Sequence, residues 1–357
     1  MKTALQPKGD GFEMSSMVLN ANPKTPRHQQ IEEQAPSVVG PMLINYSTDG
    51  QRAFHSKLKY GYAHRGVEKM CEQMNWVQIP PILERVDYLA PSHIVFPFLL
   101  CVEKLAGFSV SQRAKRVREI VLILDRISNH LYYFSNLSRS VEFSFGDQGF
   151  LRARERVCDF LEMFSGARQL HGGLCIGGVT YDVSEGFLET LVHGAQELAK
   201  MVLDLKSTFL KNFVVEERLR GKGKLSPGIA HSLGISDPRN EGDALDRASF
   251  RFLELESALQ ALVTLSARVP LGDYKVKFDM LNFSLKNGDF AYFWYEGARG
   301  RVAVCLESAG NKPWRLKIKP AGLELISAIP TVLEGADVSD LAPILASFDL
   351  LPSEVDR

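Results

Sequence analysis

The chain has 357 residues, of which 45% are hydrophobic, and its 42 Lys and Arg are balanced by 42 Asp and Glu. That length supports a substantial core in one large domain or two, and a formal net charge of zero provides no overall field for nucleic acid or an anionic membrane. No apolar run approaches the roughly 20 residues that span a bilayer, and the N-terminal MKTALQPKGDGFEM lacks the hydrophobic segment of a secretory signal, so the expected address is the cytoplasm.

Residues 1 to about 35 are polar and rich in Pro, Gln and Lys, and read as an arm that contributes no core. From 36 to 62, two β-prone runs at 42–46 and 54–60 flank Asp49-Gly50, a strong hairpin signal. A short helix is predicted to open near His64, and Pro91, beyond the Pro80-Pro81 breaker, starts an apolar helix reaching about Leu105. Ser109 and Gln112 have capping-box spacing for the longest helix, whose apolar positions Val117, Ile120, Val121, Leu124, Ile127, Leu131, Phe134 and Leu137 trace one face. A second helix is predicted over 151–168, ending at the Gly-rich GGLCIGGV. Asp182 and Glu185 suggest a cap for a further amphipathic helix through Phe209, a charged loop follows at GKGKLSPG, and 242–269 predicts another helix stopped by Pro270. The remainder changes character: RVAVCLES and WRLKIK alternate as strands, and helical patterns start at Leu323 and Val338. The expected architecture is α+β, a bundle of four to six helices over 63–270 between a β-hairpin at 36–62 and an α/β segment at 271–357.

Chemistry-bearing motifs are sparse. The sequence contains no Walker loop, no G-x-G-x-x-G after a strand, no G-x-S-x-G elbow and no metal-binding helix. Its five cysteines, at 71, 101, 158, 175 and 305, form no C-x-x-C, which argues against a disulfide scaffold and against a zinc or iron–sulfur site held by this chain alone. His64-Arg65 at a helix start fits an anion or a cofactor edge, although such a pair is more often a solvated cap. Tyr88, in RVDYLAP between breakers, either turns its phenol into a cleft or is buried with a satisfied hydroxyl. His130, near an apolar helix face, reads as a hydrogen-bonded core histidine, whereas His171 precedes Gly172-Gly173, which permit close approach of a partner or cofactor.

Taken in order, HRGVEK (64–69), RVDYLA (85–90), VEKL (102–105), DRISNHL (125–131), RARERVCDFLEMFSGAR (152–168), IGGV (176–179), GDALDRASFRFLELESAL (242–259), GNKPWRLKIKPAGL (310–323) and SEVDR (353–357) resemble the D-type, 49-kilodalton subunit of the proton-pumping NADH:quinone oxidoreductase, respiratory complex I. The resemblance runs from about residue 36 to the last. It implies a fold related to the nickel–iron hydrogenase large subunit without that enzyme's metal-binding cysteines. It also implies a peripheral component on the cytoplasmic side of the membrane, active only in the assembled complex, with the B-type and C-type subunits and the membrane-arm H-type subunit as partners. No cofactor is expected on this chain alone; quinone is the substrate, and the nearest iron–sulfur cluster belongs to the B-type subunit.

Carried over by residue, Tyr88 matches the tyrosine that hydrogen-bonds the quinone head group, and Arg65 matches an arginine near the partner's cluster, where a fixed cation would raise its potential. His171 matches a histidine near the same cluster. There are departures. Where the family carries H-P-x-T-H-G, this chain has Ala35-Pro36-Ser37-Val38-Val39-Gly40, so both histidines are missing. Ser140 stands where the family has the aspartate that pairs with the second histidine, Cys175 replaces an arginine, and a segment containing D-L-R-K is absent between Pro238 and Glu241. The alternative expectation is therefore a structural subunit that has lost quinone chemistry.

Overall fold

The computed structural model describes residues 29–225 and 242–357. The arm at 1–28 and the end of the loop at 221–228 lie outside the described residues.

The chain starts its described part in a strand. β1 (Gln29–Gln34) pairs antiparallel with β2 (Leu43–Thr48), which pairs with β3 (Ala53–Lys59) around the Asp49-Gly50 turn. The expected hairpin is thus the far side of a three-stranded sheet. Residues 29–34, expected within the polar arm, form a strand because their backbone pairs along β2, although their side chains stay largely exposed. The sheet buries Ile44 and Tyr46 against two C-terminal helices, α9 (Gly322–Leu333) and α10 (Leu341–Ser347), through Ile329, Leu333, Ile344 and Leu345. Two backbone bonds, Ala53 N–H to the Ala336 carbonyl and Gly335 N–H to that of Ala53, both 2.8 Å, fasten this seam. The two ends of the chain therefore share one core.

Between them lie the short helices α1 (Val67–Cys71) and α2 (Pro80–Leu83) and the bundle. The first opens at Val67 rather than near His64, because Gly66 takes a left-handed conformation (φ +63°) that no helix continues through. α3 (Pro91–Ala106) starts on Pro91, as expected, and stops at left-handed Gly107. α4 (Gln112–Ser140) is about 43 Å long. Its cap is Ser111, whose hydroxyl accepts from Ala114 N–H at 3.0 Å, and not Ser109. Ser184, not Asp182, likewise caps α6 (Glu185–Leu210), and Asp243 caps α8 (Ala244–Ser266). α5 (Ser144–Ser165) begins two turns before the predicted start, and α7 (Phe213–Leu219) links α6 to the loop.

Every apolar position predicted for the inner face of α4 is at most 1% exposed. Where α4, α5, α6 and α8 meet, Phe134 stacks on Phe252 with centroids 3.7 Å apart, Phe150 stacks on Phe134 at 5.1 Å, and Phe209 closes edge-on against all three. α4 also buries Arg118, Asp125, Asn129, His130 and Ser135, so it is enclosed on nearly every side. It is the axis of the molecule. Against α3 lies a second antiparallel sheet, β6 (Phe290–Gly297), β7 (Gly300–Ser308) and β8 (Pro313–Lys319), of which β6 had no strand expectation. A two-residue hairpin, β4 (Leu174–Cys175) with β5 (Gly178–Val179), forms the Gly-rich turn, and α11 (Pro352–Val355) closes the chain.

Candidate functional site

The stretch 84–93, Glu-Arg-Val-Asp-Tyr-Leu-Ala-Pro-Ser-His, threads between α4, the Gly-rich hairpin and the C-terminal turn, and nearly every polar side chain in it has a distant partner. Asp87 sets its shape. One carboxylate oxygen accepts from Leu89 N–H (3.2 Å) and Ala90 N–H (3.0 Å), a side-chain-closed turn that ends α2 and delivers Pro91 to the first turn of α3. The other oxygen meets Arg299, which also binds Glu354 at 3.0 Å and the Asn129 side-chain carbonyl. Asn129 in turn donates to Asp349 at 2.9 Å. Arg299, Asp87 and Glu354 are all 6% exposed or less. Burial works against the Arg299 cation, but the carboxylates of Asp87 and Glu354 outweigh it and raise its affinity for the proton.

Beyond Pro91, Ser92 N–H donates to Asp125 at 2.9 Å, and Ser92 Oγ lies 3.3 Å from His171 Nε2. The same Nε2 is 3.3 Å from Asp125 Oδ1, while Gly173 N–H donates to Nδ1 at 3.0 Å. That pattern puts the ring proton on Nε2, facing Asp125. Burial disfavours a charged imidazole, yet the Asp125 carboxylate more than offsets it and moves His171 upward; Asp125 moves downward because His171 overcomes its own burial. Glu84 closes the group by accepting from Gly172 N–H at 2.9 Å, and burial raises its carboxyl.

Tyr88 differs from these neighbours. It is half-buried, and among the described residues its hydroxyl reaches only the Val39 carbonyl, at 3.5 Å. Burial, and then the nearby Tyr132 phenol, push its ionisation upward, so at neutral pH it holds its proton as a donor. The 36–40 turn that supplies Val39 is held in place by Asn136 of α4, which donates to the Ser37 carbonyl at 2.7 Å, and by Gly40, whose left-handed backbone (φ +127°) lies against the Pro352 ring. Ser140, one turn beyond Asn136, spends its hydroxyl on the Leu137 carbonyl of its own helix at 2.7 Å. Neither Val39 nor Ser140 offers an acid.

The three residues singled out in the sequence therefore meet on one segment. Arg65, exposed, donates to the Arg85 carbonyl; Tyr88 lies within the segment; His171 contacts Ser92. Their supports, Glu84, Asp87, Ser92, Asp125 and Arg299, were not anticipated. Asp125 and Asp87 stand inside the quoted motifs DRISNHL and RVDYLA, but nothing in their spacing discloses partners 46 and 212 residues away. His130 is fully buried as expected, but among the described residues neither ring nitrogen has a hydrogen-bond partner, which corrects the expectation of a bonded core histidine. Its nearest carboxylate, Glu254, is 3.6 Å away, and burial with the surrounding arginines keeps it well below an ordinary histidine. Among the described residues, no three His, Cys, Asp or Glu side chains converge as metal ligands, and no helix is long and apolar enough to cross a membrane.

Residues 149–239 and 273–357 match the family described as the 49 Kd subunit of respiratory-chain NADH dehydrogenase. The chain is 30% identical over 357 residues to the D-type subunit of NADH-quinone oxidoreductase from Syntrophobacter fumaroxidans, covering 91% of this chain and 95% of that protein. To the C/D-type subunit of the same enzyme from Phocaeicola vulgatus it is 30% identical over 361 residues, covering 92% of this chain and 68% of the relative. Among solved structures, a chain of the membrane-bound sulfane sulfur reductase, an archaeal respiratory membrane complex, superposes with a TM-score of 0.87 at 25% identity, covering 94% of this chain and all of that one.

Proposed function

Because the chain belongs to the family of the 49-kilodalton subunit of respiratory-chain NADH dehydrogenase, we propose that it forms, with a B-type partner, one wall of a quinone cavity and serves electron transfer from that partner's terminal iron–sulfur cluster to quinone. The observation that carries this reading is the convergence of Arg65, Tyr88 and His171 on the 84–93 segment. Residues expected to face a cluster and a head group share one rigid support, which fixes their separation.

Reducing quinone to quinol takes two electrons and two protons. Tyr88 supplies a hydrogen-bond donor whose one partner among the described residues is a long contact, so a quinone carbonyl can replace it at little cost. His171, buried and paired with Asp125, would face the partner's cluster, and Arg65 would present its cation from the surface. The C-type and H-type subunits complete the proposed set of partners, with the chain docked peripherally on the cytoplasmic side of the membrane.

A second reading, an assembly component without quinone chemistry, draws on Val39 and Ser140: no acid occupies either place, and the Ser140 hydroxyl is committed to its own helix. The solved relative is likewise named for sulfane sulfur, not quinone. The deciding experiment is quinone reductase activity of the complex assembled with the B-type partner, in the parent and in Tyr88→Phe. Loss of about 100-fold or more in the variant, with assembly intact, supports the first reading. An inactive parent complex supports the second.

A further inference from the structure

The wall facing Tyr88 contains a second phenol. Tyr132 lies on α4 one turn before Asn136 and two before Ser140, on the half-buried stripe against which the 36–40 turn rests. Its hydroxyl makes no hydrogen bond among the described residues. Arg154 of α5 lies over its ring, the guanidinium carbon 5.5 Å from the centroid, which holds the ring in one orientation. Arg154 Nε is buried and finds no acceptor, although a buried donor is normally satisfied. Among the described residues, α4 and α5 thus bring together an uncommitted phenol, a cation over its face and an unsatisfied N–H.

We infer that Tyr132 is a second donor to the head group of a para-quinone, positioned by Arg154, at a site whose usual histidine and aspartate places hold Val39 and Ser140. This rests on the quinone reading of Tyr88. A quinone carbonyl oxygen accepts two hydrogen bonds, so two phenols on adjoining walls can serve one oxygen. The two phenols are joined through the 36–40 turn, whose Val39 carbonyl accepts from Tyr88 and whose Ser37 carbonyl accepts from Asn136, one turn beyond Tyr132 on α4. The flat ring of Tyr132, backed by Arg154, also offers a stacking face to a planar head group. Tyr132 is a contact for binding, and Arg154 acts through it as a positioning residue.

The test measures equilibrium binding of a short-chain ubiquinone analogue to the oxidised complex assembled with the B-type partner, so that no turnover is needed. Tyr132→Phe should weaken binding by about five- to tenfold, the loss of one hydrogen bond, with assembly unchanged by size-exclusion chromatography. Arg154→Gln, which leaves α4 untouched, should weaken it two- to threefold. If the parent binds and Tyr88→Phe binds less well while both Tyr132→Phe and Arg154→Gln match the parent, the inference fails and the quinone reading stands. If the parent does not bind the analogue, both fail.

Discussion

Asp87 and Tyr88 are joined by one peptide bond and belong to different regimes. Asp87 is 3% exposed and meets two backbone N–H groups and the Arg299 guanidinium, so both its carboxylate oxygens are engaged. Tyr88 is half-buried, and among the described residues its hydroxyl makes one hydrogen bond, a 3.5 Å contact to a carbonyl. The network around Arg299 ties 84–93 to α4 and to the C-terminal turn, and its removal would release the segment. The strip around Tyr88 has donors to spare. In this fold the closed region supplies rigidity, and the adjoining open region leaves polar groups uncommitted.

The largest break in that contrast should come from Arg299→Met. It leaves Asp87 and Glu354 buried beside no cation, which should cost about 3–5 kcal/mol. Chemical denaturation, or the yield of complex assembled with its partners, reads this out. Parental stability in the variant would show that the network is not what holds the segment.

Next in size is an effect of acid. Burial, with the nearby Arg126 cation, lowers His93 to about 4; its Nε2–H donates to the Leu122 carbonyl and its Nδ1 accepts from Ala298 N–H. The folded value lies below the unfolded 6.5, so the unfolded chain takes up the proton first as pH falls. Stability from this group is therefore full above about pH 6.5 and lost on the way down to 4, on the order of 3 kcal/mol. His171 has the opposite sign: raised by Asp125 against burial, it contributes fully below about pH 6.5 and loses that contribution as pH rises through its folded value. His93→Gln keeps a donor and an acceptor but cannot titrate, and should shallow the acid limb of a stability–pH curve. An unchanged limb would mean that His130, lowered likewise, dominates it.

The sequence disclosed these regions unequally, for physical reasons. The inner face of α4 was legible because helical periodicity is a local signal, and all eight of its predicted positions are in the core. Caps slipped by two residues, from Ser109 to Ser111 and from Asp182 to Ser184, because several Ser and Asp residues precede each helix and spacing alone cannot choose among them. β6 was missed because Phe290, Tyr292 and Trp294 alternate with Ala291, Phe293 and Tyr295, an apolar run without period two. Tyr88, Arg65 and His171 were found through resemblance. The Arg299 network joins residues 87, 129, 299 and 354, and long-range pairing of that kind leaves no local trace.

A smaller effect is expected on the open side. Asn136→Ala removes the 2.7 Å bond to the Ser37 carbonyl, the side-chain tether from α4 to the 36–40 turn. The expected loss is about 1 kcal/mol, with faster amide exchange confined to residues around the turn. Uniformly faster exchange would instead indicate that the turn belongs to the global unfolding unit.

The smallest effect on stability should be that of Tyr88→Phe, and its smallness sharpens the contrast with Asp87. A hydrogen bond at 3.5 Å lies at the edge of useful geometry, and a typical net contribution even at good geometry is about 0.5–1.5 kcal/mol. The acceptor left behind, the Val39 carbonyl, belongs to a half-buried residue that water can reach, so no buried orphan is created. The ring, with its packing, is kept. Together these bound the cost below about 0.5 kcal/mol, and the unfolding midpoints of parent and variant should nearly coincide. A loss of about 2 kcal/mol or more would place the Tyr88 hydroxyl in the same structural class as Asp87, and a fall in quinone reductase activity in that variant could then no longer be ascribed to a missing donor at the head group.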